Sequence, residues 1–155
     1  MIVTKHYNDD CVKFSDSYEG QFDSVVTDPP YGIEYLGNDW DSYQNCIAFK
    51  SSTWESISKV LKPGGYMLIF GASKTFHRLT CAVEDSGLKI RDVLMWLYGQ
   101  GMPKSQNIGK KDPNWEGWGT GLKPCYEPIL LAQKPISEKT IVKNFQKHGV
   151  GGINI

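Results

Sequence analysis

The segment 22-FDSVVTDPPYG-32 constrains this chain more than any other. Phe22 to Thr27 is a compact β-branched run that reads as a buried strand, and it leads directly into Asp28-Pro29-Pro30-Tyr31. Each proline fixes its own φ at about −65° and drives the residue before it out of the helical region. Asp28 and Pro29 are therefore extended, and a carboxylate and an aromatic ring are mounted rigidly where a strand ends. A simple turn closing a strand could use the same two prolines, so the flanking elements decide between the two readings.

Those elements alternate. Met1 to Tyr7 reads as a short strand followed by polar Asn8-Asp9-Asp10. Ser51 to Leu61 opens with residues able to cap and sets Trp54, Ile57, Val60 and Leu61 at helical spacing, and Lys62-Pro63-Gly64-Gly65 terminates it. Tyr66 to Phe70 is a continuous apolar strand, Ser73 to Ser86 a helix closed by Gly87, and Ile90 to Tyr98 a strand. Pro128 to Ala132 is a last strand and Glu138 to Lys147 a helix. Gly32 to Asn45 and Gly99 to Gly121 lack periodicity and read as loops. The pattern predicts an α/β domain with a mostly parallel sheet of about five strands, the runs Phe22 to Thr27 and Tyr66 to Phe70 at its centre. Ligands bind such sheets outside the carboxyl ends of the strands. Asp10, Asp28 to Tyr31 and Gly71-Ala72-Ser73 should then share one edge.

The length of 155 residues suits a single domain spanning 1–155. Lys plus Arg and Asp plus Glu both number 17, which excludes a basic-tail protein and leaves nucleic-acid binding to the placement of charge. No apolar run of about 18 residues and no basic-then-apolar leader occurs, so nothing suggests a membrane span or secretion. Cys11, Cys46, Cys81 and Cys125 lack CxxC spacing and are expected to be reduced thiols. His77, Arg78 and His148 show no metal-ligand spacing, and no metal is expected.

A strand entering Asp28-Pro29-Pro30-Tyr31, with Leu61-Lys62-Pro63-Gly64-Gly65 before the next strand, resembles the amino-methyltransferases of DNA. These transfer a methyl group from S-adenosylmethionine to an exocyclic base nitrogen. A catalytic motif near the amino end is similar to the permuted type. The stretches 116-EGWGTGLKPCYEPILLAQKP-135 and 143-KNFQKHGVGGINI-155 resemble phage and prophage members, so the likeness runs along nearly the whole chain. It implies a Rossmann-like class I methyltransferase sheet. It also implies Asp28, Pro29, Pro30 and Tyr31 as the catalytic group, with Asp10 and Asp28 at the cofactor and Asp10 meeting its adenosine part.

The chemistry agrees with these residue types. An exocyclic amine is a poor nucleophile because its lone pair is delocalised into the ring. The Asp28 carboxylate and the Asp28 or Pro29 carbonyl can accept its two N–H bonds, catalysis then being orientation plus electrostatics. A base inside a duplex must be extruded, and Tyr31 offers a ring for it to stack on. An aspartate heading the motif leans toward adenine N6 rather than cytosine N4. Trp96-Leu97-Tyr98-Gly99 matches the region lining the base pocket, Trp96 being either pocket or core. Residues 99–124 form an irregular DNA-facing loop in which Lys104, Gln106, Asn107, Lys110 and Lys111 suit phosphate contacts. Trp115 and Trp118 in that loop either stack on DNA or anchor it to the core, and anchoring is the expectation.

One departure from the family is clear. Its members hold the cofactor through an aromatic-x-Gly-x-Gly turn between a strand and a helix, where glycines permit close backbone approach. No such segment is read between a strand and a helix in this sequence, the letters of Trp115-Glu116-Gly117-Trp118-Gly119 falling within the irregular stretch Gly99 to Gly121. The chain looks like the catalytic half of a methyltransferase without most of its cofactor half. It is a fragment, or a chain completed by a second chain or as a homodimer, or a non-catalytic DNA- or partner-binding remnant. Weak or absent binding of S-adenosylmethionine to the isolated chain follows, as does an uncovered sheet edge or apolar face that favours self-association.

Overall fold

The computed structural model describes residues 3–101, 105–122 and 124–154. Among them, β1 (Phe22–Thr27), β2 (Leu61–Phe70), β3 (Lys89–Leu97) and β4 (Tyr126–Gln133) form one sheet in the order β1-β2-β4-β3. Four helices accompany it: α1 (Cys11–Ser17), α2 (Ser51–Lys59), α3 (Phe76–Asp85) and α4 (Ile141–His148). Strands β1 and β2 are parallel, Val25 opposite Met67 and Thr27 opposite Ile69. Strand β4 lies between β2 and β3 and is antiparallel to both.

The α/β class holds, and the mostly parallel sheet of about five strands does not. Strands β1, β2 and β3 point the same way, but only β1 and β2 are adjacent parallel neighbours. The chain leaves β3 at Leu97 and returns as β4 at Tyr126. A strand that returns to pair with its predecessor without crossing the sheet must run antiparallel. Strand β1 is an edge, not a centre: Val26 is 66% exposed, and none of its residues is fully buried. Strand β2 is central as expected.

Residues 3–7 carry no strand, and residues 1–2 of the strand expected at Met1 to Tyr7 lie outside the described residues. Tyr7 instead packs on Phe14, which continues through Tyr18 to Phe22, with ring centroids 4.8 to 5.0 Å apart. That aromatic file ties the short helix α1, which the sequence pattern missed, to the start of β1.

The core lies between the sheet and α2 with α3: Trp54, Leu61, Met67, Ile69, Leu79, Val83 and Leu130 are buried there. Helix α2 ends at Lys59 with Val60 as its C-cap, short of the expected stop at Lys62-Pro63-Gly64-Gly65, which instead lies in the first half of β2. Between their paired positions β2 advances from Leu61 to Tyr66 while β1 advances only from Phe22 to Ser24, so β2 bulges. Gly64 has φ +83°, and a side chain there would collide with Asn144. Fully buried Asn144 in α4 donates from Nδ2 to the Pro63 and Val150 carbonyls at 2.9 and 3.0 Å, and its Oδ1 accepts from Ser137 N at 3.1 Å. No helix among the described residues is long and apolar enough to cross a membrane.

Asn144 shares the bulge with Gln133, whose Nε2 donates to the Gly64 carbonyl at 2.9 Å, and with Lys134, whose Nζ donates to the Leu61 carbonyl at 2.7 Å. Asn144→Ala should cost about 2 kcal/mol or more in denaturant unfolding, because it leaves buried backbone groups unpaired. A change below about 0.5 kcal/mol, the level of a neutral surface substitution, would contradict this role.

Candidate functional site

Thr27 ends β1 opposite Ile69, so Asp28 emerges at the carboxyl edge of the sheet beside the end of β2. Gly71-Ala72-Ser73 follows β2 at this same edge, with Gly71 N donating to the Pro128 carbonyl at 3.0 Å. The parallel pairing thus brings these two sequence-predicted segments together. Asp28, Pro29, Pro30 and Tyr31, joined by Ile33, Tyr35, Trp40 and Asp41, line a cavity of about 300 Å³.

Beyond the prolines, the segment is held by side chains from distant positions. The Cys46 thiol donates to the Pro30 carbonyl at 3.2 Å, and the Thr75 hydroxyl, just before α3, donates to the Tyr31 carbonyl at 2.6 Å. Burial pushes the Cys46 thiol up, so it stays protonated and remains a donor. Gly32 turns the chain with φ +66°, and an added Cβ would lie 2.3 Å from the Phe49 ring. Only glycine satisfies both the conformation and the space. Asp41 is 2% exposed; its carboxylate accepts from Gly32 N at 2.7 Å, Tyr35 N at 2.9 Å and Ile33 N at 3.3 Å.

Burial, and then a hydrogen bond to and the charge of Asp28, raise the Tyr31 phenol well above its ordinary range, with smaller contributions from Glu127 and Tyr98. The phenol therefore stays neutral beside the Asp28 carboxylate. Tyr98 is raised first by its hydrogen bond to Glu127. Glu127 lies opposite Trp96 at the β3–β4 end of this sheet edge. Trp96 is 55% exposed with its ring 6.2 Å from Phe70, which removes the core reading.

Asp10 does not follow a strand. It is the N-cap of α1, its Oδ1 accepting from Val12 N at 2.9 Å and Lys13 N at 3.0 Å, and it is not among the residues lining the cavity. Gln106, Asn107, Lys110 and Lys111 are exposed, and Lys104 lies outside the described residues. Their loop is more ordered than its composition suggests. Asn107 bridges Gly119, Ile108 N donates to the Trp118 carbonyl, and Gln106 N donates to the Thr120 hydroxyl. Trp115 and Trp118 meet edge to face at 5.6 Å and are 48% and 61% exposed, so they do not anchor the loop to the core. Their rings satisfy each other at the surface. All four cysteines are free thiols.

Sequence reasoning missed Asp41, Cys46, Thr75, Phe49 and Glu127. Asp39-Trp40-Asp41 in a loop lacking periodicity was the available signal, since a large ring between two acids in a loop has no helical or strand reason to be there.

A family model described as DNA methylase, of the N6/N4 methyltransferase type, matches residues 22–149. Type II methyltransferase M.HindIII of Haemophilus influenzae is 26% identical over 205 residues, an alignment that covers 94% of this chain and 65% of the relative. The chain therefore spans just under two thirds of that relative's length. Among solved structures, the cytosine-N4-specific PvuII DNA methyltransferase superposes with a TM-score of 0.58 at 16% identity, covering 88% of this chain and 52% of that chain. The M1.HpyAVI–SAM complex gives a TM-score of 0.53 at 21% identity, covering 83% of this chain and 54% of that one.

The Tyr31 environment sets a pH dependence. In the unfolded chain a tyrosine loses its proton from about pH 10, whereas folded Tyr31 holds on to it. The folded state then binds more protons, so this stability is present below about pH 10 and is lost as pH rises. Wild-type stability should decline more steeply above that pH than that of Tyr31→Phe. Parallel alkaline profiles of the two proteins would contradict the assignment.

Proposed function

Because this chain belongs to the DNA methylase family of N6/N4 methyltransferases, we propose that it is the target-base half of an S-adenosylmethionine-dependent DNA amino-methyltransferase. The observation that carries the reading is the rigid Asp28–Tyr31 mount at the carboxyl end of β1, opening onto a cavity of about 300 Å³. A space of that size suits an extruded base.

The Asp28 carboxylate and the Pro29 carbonyl accept the two N–H bonds of the target amine, favouring a pyramidal nitrogen whose lone pair faces the methyl group. The proton lost from nitrogen passes to the exposed Asp28 carboxylate and on to solvent. The Tyr31 ring stacks on the base, and its phenol stays neutral beside the Asp28 carboxylate. S-adenosylmethionine supplies the methyl group when bound. The residues of this chain fit only its reacting end, since the one aromatic-x-Gly-x-Gly string, Trp115-Glu116-Gly117-Trp118-Gly119, lies in the exposed loop between β3 and β4 and not between a strand and a helix. The second oxygen of Asp10 meets its adenosine part. Adenine N6 is the proposed target, from the aspartate that heads the motif. Gln106, Asn107, Lys110 and Lys111 contact phosphates, as does Lys104, in a cytoplasmic enzyme of a bacterium or its phage.

The free edge of β1 is where the cofactor half would add a further strand, supplied by more of the same polypeptide or by a second chain. Without it the exposed edge and Val26 favour self-association. Calorimetric titration of the isolated chain with S-adenosylmethionine should give a millimolar dissociation constant, about 4 kcal/mol weaker than micromolar binding, and light scattering should show a species larger than a monomer. Micromolar binding by a monodisperse monomer would overturn this division of labour.

The central test pairs Asp28→Ala with product analysis in the completed enzyme. Turnover should fall by orders of magnitude with DNA affinity nearly intact, because affinity rests largely on phosphate contacts elsewhere. Mass spectrometry of nucleosides from wild-type reactions should show N6-methyladenine. N4-methylcytosine alone would overturn the adenine assignment, and unchanged Asp28→Ala turnover would overturn the catalytic one.

A further inference from the structure

We propose that Asp41 is a positioning residue for methyl transfer, acting through the loop that it closes rather than by touching the substrate; this rests on the functional reading above. Three backbone N–H groups of one short segment, those of Gly32, Ile33 and Tyr35, converge on the two oxygens of this one carboxylate. The Asp41 carbonyl also accepts from Glu34 N at 2.8 Å. Such convergence requires left-handed backbone at intervals, and the loop has it: Gly32, Glu34, Leu36 and Gly37 have φ values of +66°, +55°, +54° and +73°. The N–H groups form an anion-binding nest of the kind that ordinarily receives a phosphate, and here the chain's own carboxylate fills it. Two of those residues are not glycine, so the conformation carries local strain and needs a strong anchor.

A cheaper anchor would serve if the loop had only to be closed. A buried carboxylate is costly to desolvate, and among the described residues no lysine or arginine pairs with Asp41. What the charge provides is three charge-assisted bonds to N–H groups beginning at the residue directly after Tyr31. The carbonyls of Pro30 and Tyr31 are gripped by Cys46 and Thr75 from one side, and the following N–H groups by Asp41 from the other. Asp28 and Tyr31 thereby sit on a segment fixed at its amino end by the pairing of Thr27 with Ile69 and at its carboxyl end by these bonds. The same closure places Tyr35 and Trp40 at the cavity as its outer aromatic wall.

Asp41→Asn tests this with little change of shape. Whichever way the amide is turned, its NH₂ meets N–H donors that the carboxylate had accepted from. Turnover in the completed enzyme should fall about 10- to 100-fold, the scale expected for a reacting group displaced by about 1 Å. KM for DNA should change by less than about threefold, because the phosphate contacts are untouched. Amide exchange at Gly32, Ile33 and Tyr35 should quicken by about tenfold or more, while the thermal midpoint falls by only a few degrees. In the wild type those three amides should exchange more slowly than that of Leu36, whatever the variant does. Unprotected wild-type amides, an Asp41→Asn enzyme that turns over normally, or one that fails to fold would each overturn the proposal. A wild-type enzyme inactive on DNA would overturn the functional reading and this one together, which separates the two failures.

Discussion

Strand β2 is hydrogen-bonded on both sides, parallel to β1 and antiparallel to β4, and the geometry of the site follows from that double pairing. Its inward residues Met67 and Ile69 are fully buried under α2 and α3, so its register cannot slip by one residue without turning both into solvent. With the register fixed, Thr27 lies opposite Ile69, and Asp28 must leave the sheet beside Phe70 and Gly71. On the other side Phe70 pairs with Ile129, which brings Glu127 to the same edge. One apolar strand thus aligns an acid from β1, an acid from β4 and the aromatic end of β3.

The local elements were legible because each depends on its own residues. Phe22 to Thr27 was read to the residue, since β-branched side chains between a glycine-bearing turn and a proline pair leave little choice. Helix α3 begins three residues later than its pattern suggested because Thr75 stays outside it, with its hydroxyl committed to the Tyr31 carbonyl. The position of β4 was not legible. Whether a strand inserts beside β2 or adds beyond β3 depends on how residues 98–125 return the chain, and no periodicity encodes that. Strand β1 looked central because apolar residues normally mean burial, and exposed Val26 violates that rule. Such an exception is understandable where another strand is meant to pair.

The rigid mount at Asp28 to Tyr31 was readable from four letters, but what holds it was not. Asp41, Cys46 and Thr75 act on it from 9 to 44 positions away in sequence. Their residue types are common in loops and helix starts, so only three-dimensional proximity distinguishes them. The loop carrying Gln106 and Lys110 shows the reverse error. Its polar, glycine-rich composition reads as irregular, yet backbone bonds across Asn107 and Gly119 give it a defined shape with two tryptophans at the surface. Aromatic rings exposed beside lysines suit a loop whose partner lies outside the protein.

The measurement that bears most directly on this account is the structure of the completed enzyme on a duplex carrying its recognition site. The account predicts the target base extruded into the Asp28–Tyr31 cavity, its exocyclic nitrogen about 3 Å from the Asp28 carboxylate, and its ring lying over Tyr31. A base that remains stacked in the duplex with its phosphates engaged elsewhere, or one held by residues remote from Asp28, would contradict it.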